Sequence, residues 1–189
     1  MTDIVYEDDA WRVHISPDDD PPSPEEWADK GDAVLVAYHQ QFSVSVEGLE
    51  RPEDVKGWRD KFHIFPLSAY IHGGVRLYLG SHKTCPWDSG QVGYVLVNRR
   101  GGDDEGFDPE ARAQWVVDRW NTYLGGDVWG VHVEKKESAG SGTCAGCVDW
   151  EHVESLYGIY ERAQAEDEAQ QWVEYIKRIQ REPQHAGTT

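Results

Sequence analysis

Six segments in the first hundred residues alternate between apolar and polar positions or consist of short apolar runs. They are "IVYE", "WRVHI", "AVLVAYHQQFSVSV", "HIFPLSAYIHGG", "VRLYLG" and "QVGYVLVN". All are rich in the β-branched and aromatic residues that strands favour, and glycines or short polar runs separate them. The pattern therefore predicts consecutive strands, with the third segment forming one long strand or a hairpin. A further strand is predicted at "DVWGVHVEKK".

Two later segments have the helical period. In the first, Asp108 can cap the helix, Pro109 suits its first position and Gly125 ends it. Its predicted apolar face consists of Ala111, Trp115, Val116, Trp120, Tyr123 and Leu124. The second helix runs to about Glu182, with an apolar stripe formed by Ala169, Trp172, Val173, Ile176 and Ile179. Residues 54–62 form a shorter helical segment, which Gly57 interrupts.

Consecutive strands interrupted by helices predict an α+β fold. We expect a mostly antiparallel sheet, two main helices and a helical C-terminal segment. The chain has 189 residues, enough for one domain with a substantial core, and it shows neither a clear linker nor an internal repeat. A single domain over residues 1–182 with a disordered tail at 183–189 is therefore the expectation.

The charge of the chain limits its partners. The formal net charge is −17, which repels nucleic acid, anionic membranes and acidic substrates and favours a protein with a basic surface. No apolar run approaches the roughly 20 residues that span a bilayer, and the N-terminus lacks a signal-peptide pattern. The expected location is the cytoplasm. Three cysteines make an odd count, which argues against a disulfide framework.

An acidic, proline-rich loop is the first candidate binding site. Residues 1–32 contain eleven Asp or Glu against two basic residues, and the loop reads "SPDDDPPSPEEWADKGD". The candidate partner-binding residues are Asp18, Asp19, Asp20, Glu25 and Glu26. The spacing is not that of an EF-hand, so a high-affinity calcium site is not expected. DNA mimicry and a solvated surface loop are the two other interpretations.

The second candidate is the corner "CPWDSGQVG". The proline holds Cys85 extended, and Asp88-Ser89-Gly90 is a turn signature in which the Asp side chain can bond backbone amides. The structural interpretation, which we favour, makes Cys85 a buried thiol, Asp88 the cap of the turn and Trp87 a side chain packed beneath it. The catalytic interpretation makes Cys85 a nucleophile. The other members of the catalytic set would be His39 or His72 as the base and Asp88 or Gln91 as the orienting or oxyanion group.

The remaining cysteines and histidines give weaker signals. Cys144 and Cys147 form one Cys-x-x-Cys pair, but a structural zinc needs four ligands, and the others would come singly from Cys85, His132 or His152. We therefore predict incidental or labile thiols, no metal and no cofactor. His14 and His132 are expected to be half-buried sheet residues, and His152 to be exposed.

Four segments in fixed order carry a family resemblance: "DDDPPSPEEWADKGD", "VAYHQQF", "PLSAYIHGG" and "CPWDSGQVG". In these, the chain resembles a family of small uncharacterised proteins from bacteriophages and mobile elements that carries a Cys-Pro-Trp-Asp-Ser-Gly-Gln-Val-Gly motif. The resemblance implies a phage or prophage origin and no particular activity. This chain has Ile71 where the family has Asp, and Gln40, Gln41 and Glu25 where the family has arginines.

Charge, size and the incomplete catalytic set together predict a non-enzymatic protein. We expect a phage-encoded acidic accessory protein that binds a host protein with a basic surface, without contacting nucleic acid directly. It would modulate, most concretely inhibit, a host defence or nucleic-acid-handling complex. The alternatives are a Cys85-dependent hydrolase or transferase and a phage assembly accessory.

Overall fold

The computed structural model describes residues 2–27, 32–81, 85, 87–99, 107–137 and 149–181. Within these ranges the elements are, in chain order, β1 (Asp3–Glu7), β2 (Trp11–Pro17), α1 (Pro24–Trp27), β3 (Ala33–His39), β4 (Phe42–Val44), a 3₁₀ helix (Asp54–Trp58), β5 (Phe62–Ile71), β6 (Val75–Leu79), β7 (Ser89–Asn98), α2 (Pro109–Leu124), β8 (Val128–Lys136), β9 (Trp150–Tyr160) and α3 (Arg162–Arg181). The predicted strands and both main helices are confirmed.

The chain divides into two compact units. The terminal unit comprises Met1–Pro21 and Gly126–Thr189, and the central unit comprises Pro22–Gly125. Each unit contains an antiparallel sheet and a long helix, so the predicted α+β class is confirmed. Folding of residues 1–182 as a single cooperative domain stays a prediction, and the predicted tail lies outside the described residues.

The terminal unit is a four-stranded sheet with one helix on one face. Its strand order is β1-β2-β8-β9, and each neighbouring pair is antiparallel. Alternate residues of β2 and β8 point to α3, whose small and apolar residues recur at helical spacing. The buried residues of this core are Val13, Ile15, Val131, Val133, Ile159, Ala165, Ala169, Val173 and Ile176. Among the described residues, no helix is both long and apolar enough to cross a membrane.

Asp8 organises the turn between β1 and β2. Its carboxylate accepts hydrogen bonds from the Tyr6 hydroxyl, the Ala10 and Trp11 amides and the Gln180 side chain at the end of α3. Burial raises the pKa of Asp8, but these hydrogen bonds outweigh burial and lower the pKa to about 2. The turn is thus held by an ionised carboxylate at neutral pH.

The central unit is a five-stranded antiparallel sheet in the order β4-β3-β7-β5-β6, with β7 in the middle. Helix α2 packs on one face, and the 3₁₀ helix and its flanking loop cover the other through a smaller cluster around Val36, Leu49, Val55 and Leu96. A Cβ added at Gly93 of β7 would lie 1.9 Å from the Val36 carbonyl oxygen. Only glycine therefore allows β7 and β3 to approach so closely.

Helix α2 begins as predicted but faces the core differently. Asp108 accepts from the Glu110 and Ala111 amides at 2.9 and 3.2 Å, and Pro109 occupies the first turn. The buried residues are Ala113, Val116, Val117 and Trp120. The prediction that Ala111 and Trp115 face the core was wrong, since both are exposed. Trp115 is 46% exposed and lies beneath the guanidinium of Arg112, whereas Trp120 is 6% exposed.

The two tryptophans give a matched pair of mutations on one helix. Trp120→Ala should lower the free energy of unfolding by about 3–5 kcal/mol, because it leaves a cavity in the core. Trp115→Ala should lower it by less than about 1 kcal/mol, because the ring contacts mainly solvent and an arginine. Chemical denaturation of both variants tests this. Equal losses would mean that the assignment of the buried face is wrong.

Candidate functional site

The corner before β7 brings together three of the five predicted catalytic residues. The Cys85 thiol donates to Asp88 Oδ2 at 3.4 Å, and the same oxygen lies 3.6 Å from His72 Nδ1. His72 directly follows β5, and the Ile71 amide donates to the Asp88 carbonyl at 2.8 Å. Backbone pairing of β5 with the start of β7 therefore positions the cluster.

The order of these groups does not match a thiol–imidazole catalytic pair. Such a pair needs the imidazole next to the sulfur, so that it can take the thiol proton. Here the hydrogen-bond partner of the thiol is the Asp88 carboxylate, and His72 contacts the same carboxylate oxygen. The geometry therefore supports a hydrogen-bonded turn more than an activated nucleophile.

His39 and Gln91 are engaged elsewhere. The imidazole Nδ1 of His39 accepts from the Gln41 amide at 3.3 Å in the turn between β3 and β4. The Gln91 side chain donates to the Gly93 carbonyl of its own strand at 3.4 Å. Both residues are exposed, and their hydrogen bonds are local. The structure thus joins Cys85, His72 and Asp88, while His39 and Gln91 make local contacts of their own.

Three details of the predicted corner differ in the structure. Cys85 is half-buried rather than buried. The Ser89 hydroxyl accepts from the Cys85 amide at 3.2 Å, and the Ser89 amide donates to the Cys85 carbonyl at 3.0 Å, so Ser89 closes the turn. The Asp88 carboxylate points to Cys85 and His72. Trp87 is 92% exposed and does not pack beneath the turn.

The predicted acidic binding residues are distributed over both units. Asp18 is part of the terminal fold, since its carboxylate accepts from the Asp20 amide at 3.1 Å and from the Gly158 amide of β9 at 3.0 Å. Asp19 and Asp20 are exposed in the same unit. Glu25 is exposed in the central unit, and the Glu26 side chain lies outside the described residues.

The described part of the chain holds no cluster of metal-ligating residues. No three His, Cys, Asp or Glu side chains in it form a group that could hold a metal ion. Cys144 and Cys147 both lie outside the described residues. The labile-thiol prediction for them therefore stays a prediction.

The terminal sheet carries a polar network that the sequence patterns did not predict. On the face opposite α3, the rings of His14 and His132 stack with centroids 4.7 Å apart. His132 Nε2 lies 3.0 Å from the Ser16 hydroxyl, and His132 Nδ1 lies 3.2 Å from the Ser155 hydroxyl. Ser155 in turn lies 2.7 Å from His152 Nε2. His14 and His132 are half-buried and His152 is exposed, as predicted.

This network has the composition of an acid–base site but not its full arrangement. Ser16 and His132 resemble a nucleophile and its base, yet the group on the other ring nitrogen is Ser155 rather than a carboxylate. His132 therefore lacks the anionic partner that stabilises an imidazolium in catalytic triads. Register alone could have indicated the network, because His14 lies directly opposite His132.

Both stacked histidines are held neutral. Burial lowers the pKa of His14 and of His132, and Glu134 raises both in part. A neighbouring histidine lowers the pKa of each ring further: His132 acts on His14, and His152 acts on His132. Arg12 also lowers the pKa of His14, whereas Asp18 raises the pKa of His132. The His14 Nδ1 atom is buried without a hydrogen-bond partner in the described residues. A proton on either ring is therefore disfavoured in the folded state.

Comparison of the chain with models of protein families, with curated proteins and with solved structures finds no match.

The Cys85 corner predicts a slow thiol. Iodoacetamide should modify Cys85 of the folded protein at neutral pH no faster than a free cysteine, because the half-buried thiol donates its hydrogen to Asp88 and not to an imidazole. Asp88→Ala should accelerate the reaction, since it removes that hydrogen-bond acceptor and opens access to the sulfur. Mass spectrometry of the Cys85 peptide measures both rates. Rapid modification that His72→Ala slows would instead support the nucleophile.

The stacked histidines predict loss of stability in mild acid. The unfolded protein binds protons at these positions near pH 6.5, whereas the folded protein binds them only at lower pH. The contribution of the two neutral histidines to the free energy of unfolding is therefore complete above about pH 6.5, and it decreases as pH falls through the lowered pKa values. Urea denaturation at pH 7.5 and 5.5 should show this loss, and His132→Gln should reduce it. An identical loss in the variant would contradict the assignment.

Proposed function

We propose that the protein is a non-enzymatic acidic binding protein of phage or prophage origin. It acts in the host cytoplasm by binding a protein with a basic surface. In the most concrete form of this proposal, it inhibits a host defence or nucleic-acid-handling complex. Nucleic acid and anionic membranes are not its direct partners, since its charge repels both.

The distribution of charge is the observation that carries this proposal. The terminal unit has 19 Asp and Glu against 7 Lys and Arg, a net charge of −12, and the central unit has 16 against 11, a net charge of −5. Most of the excess is therefore concentrated in one sheet-and-helix unit. Such a concentration accelerates association with a basic surface and disfavours acidic competitors.

The geometry of the Cys85 corner supports a binding role over catalysis. Its carboxylate lies where a thiol-dependent enzyme needs the imidazole. The corner also presents Trp87, which is 92% exposed. Tryptophan is enriched among the residues that dominate binding energy at protein interfaces. The corner thus offers an apolar contact as well as a rigid turn.

A Cys85-dependent hydrolase or transferase is the second candidate function. The approach of His72 and Asp88 to Cys85 favours it, since the three groups needed for such chemistry lie within one corner. It requires His72 to move to the sulfur when substrate binds. A Cys85-adduct that forms with a substrate-like ester or amide and disappears in His72→Ala would favour this candidate.

The binding proposal predicts a salt-sensitive partner. A host protein captured from bacterial lysate on the immobilised protein should elute progressively between about 0.1 and 1 M NaCl, because the Debye length falls from about 10 to about 3 Å. Quantitative mass spectrometry of the fractions measures the elution. Trp87→Ala provides the apolar control. A partner retained at about 1 M NaCl and lost only in Trp87→Ala would show that apolar contact, not charge, holds the complex.

A further inference from the structure

The terminal sheet has two edges of different character. In the described part of the chain β1 pairs only with β2, and β9 pairs only with β8. β1 has 5 residues, whereas β9 has 11. The outer edge of a strand presents unpaired backbone groups that can pair with another chain. β9 is therefore the longer surface for such pairing.

The carboxylates of the two edge strands differ in whether a basic side chain pairs with them. On β1, Asp3 is paired with Arg162 and Glu7 with Arg12, both at 2.9 Å. On β9, Glu151 lies opposite Lys135 in the register and Glu154 accepts from the Ser155 amide at 3.3 Å, but no basic nitrogen of the described residues lies within 4.0 Å of either carboxylate. Both glutamates are exposed. β9 therefore carries negative charge that the described residues do not pair.

The register places different residues on the two faces of β9. Glu154 and Leu156 lie opposite Val133 and Val131, which pack toward α3, and so they belong to the helix side. His152 lies opposite Glu134 and belongs to the open side, where Tyr157 contacts the His132 ring.

Three apolar side chains in the middle of β9 are exposed. Val153 and Leu156 are each 44% exposed and Tyr157 is 54% exposed. The glutamates and bulges of β9 disfavour pairing with an acidic or neutral strand, whereas a basic segment would be attracted by the same carboxylates. A ligand that adds beside β9 would thus meet carboxylates together with apolar contacts.

We propose that the edge of β9 binds an extended basic segment of the partner protein by strand addition. The segment alternates cationic and apolar side chains, because strand residues point alternately to the two faces. Cationic residues on the helix side pair with Glu151 and Glu154, and apolar residues on the open side contact Tyr157. This inference rests on the proposed binding function and identifies its surface.

The same features disfavour a second copy of this chain as the occupant. Two terminal units would bring together net charges of −12 each. The register of β9 is also interrupted between its Val133 and Glu134 partners and between its Trp129 and Val131 partners. Such bulges restrict continuous pairing of long edges but leave short segments available. A short basic peptide satisfies both constraints.

The test uses a synthetic ten-residue peptide of alternating Lys and Val and fluorescence anisotropy at physiological salt. The alternating peptide should bind about tenfold more tightly than a peptide of five Val followed by five Lys. Methylation of alternate backbone nitrogens on one edge of the peptide should weaken binding by about tenfold for one of the two possible edges. Equal binding of the alternating and block peptides would overturn strand addition.

Matched charge reversals locate the site. Glu151→Lys with Glu154→Lys should weaken binding of the alternating peptide by about tenfold, whereas Asp9→Lys with Asp167→Lys, at two exposed positions of the same unit, should weaken it by less than about threefold. The two variants change net charge equally. Equal effects would overturn β9 as the site, and so would self-association that Leu156→Lys abolishes.

The lysate experiment separates the two proposals. If the β9 variant still captures the salt-sensitive host partner, the proposed function stands and the β9 surface is wrong. If the wild-type protein captures no salt-sensitive partner, the proposed function itself fails.

Discussion

The structure depends on placing a large excess of carboxylates where they stabilise the fold. The net charge of −17 opposes compaction through self-repulsion. Several carboxylates counter this by accepting hydrogen bonds from backbone amides. They are Asp8 between β1 and β2, Asp18 after β2, Asp108 before α2, and Asp127 before β8, which accepts from the Arg162 amide at the start of α3. Hydrogen bonds of this kind to an ionised acceptor are stronger than neutral ones. The same acidity that favours a basic partner thus also fixes the turns.

Carboxylates that do not cap turns differ in how they are compensated. Asp3, Glu7 and Asp32 are paired with arginines, whereas Glu151 and Glu154 lie beyond ion-pair distance of the described basic residues. The paired carboxylates stabilise the fold, whereas the unpaired ones are directed to solvent. This division links the fold to the proposed function, since uncompensated charge on an open strand edge is available to a partner.

The sequence predicted most elements because their signals are local. Alternation located the strands other than β9, and Asp108 with Pro109 located the start of α2. The segment of β9 was not predicted as a strand, since bulges interrupt its alternation. The sequence was a poorer guide to which face of helix α2 is buried. Trp115 and Trp120 both fit one apolar stripe, and only packing against the central sheet shows that Trp120 alone is buried. Aromatic residues beside arginines can remain at the surface, and periodicity does not distinguish that case.

The candidate sites were less predictable because they depend on register. The short motif did bring Cys85 and Asp88 together, but the contact of His72 with Asp88 follows from the pairing of β5 with β7. Likewise, Ser16, His132 and Ser155 come from three strands far apart in the chain. A one-residue change in register would move each to the opposite face. Hydrophobic patterning does not fix such polar contacts.

The central claim is that the protein acts by binding through the acidic terminal unit rather than by chemistry at Cys85. Hydrogen–deuterium exchange of the protein with and without its captured host partner tests this most directly. The account predicts new protection over residues 150–157 of β9. Protection confined to residues 87–91, with β9 exchanging as in the free protein, would contradict it.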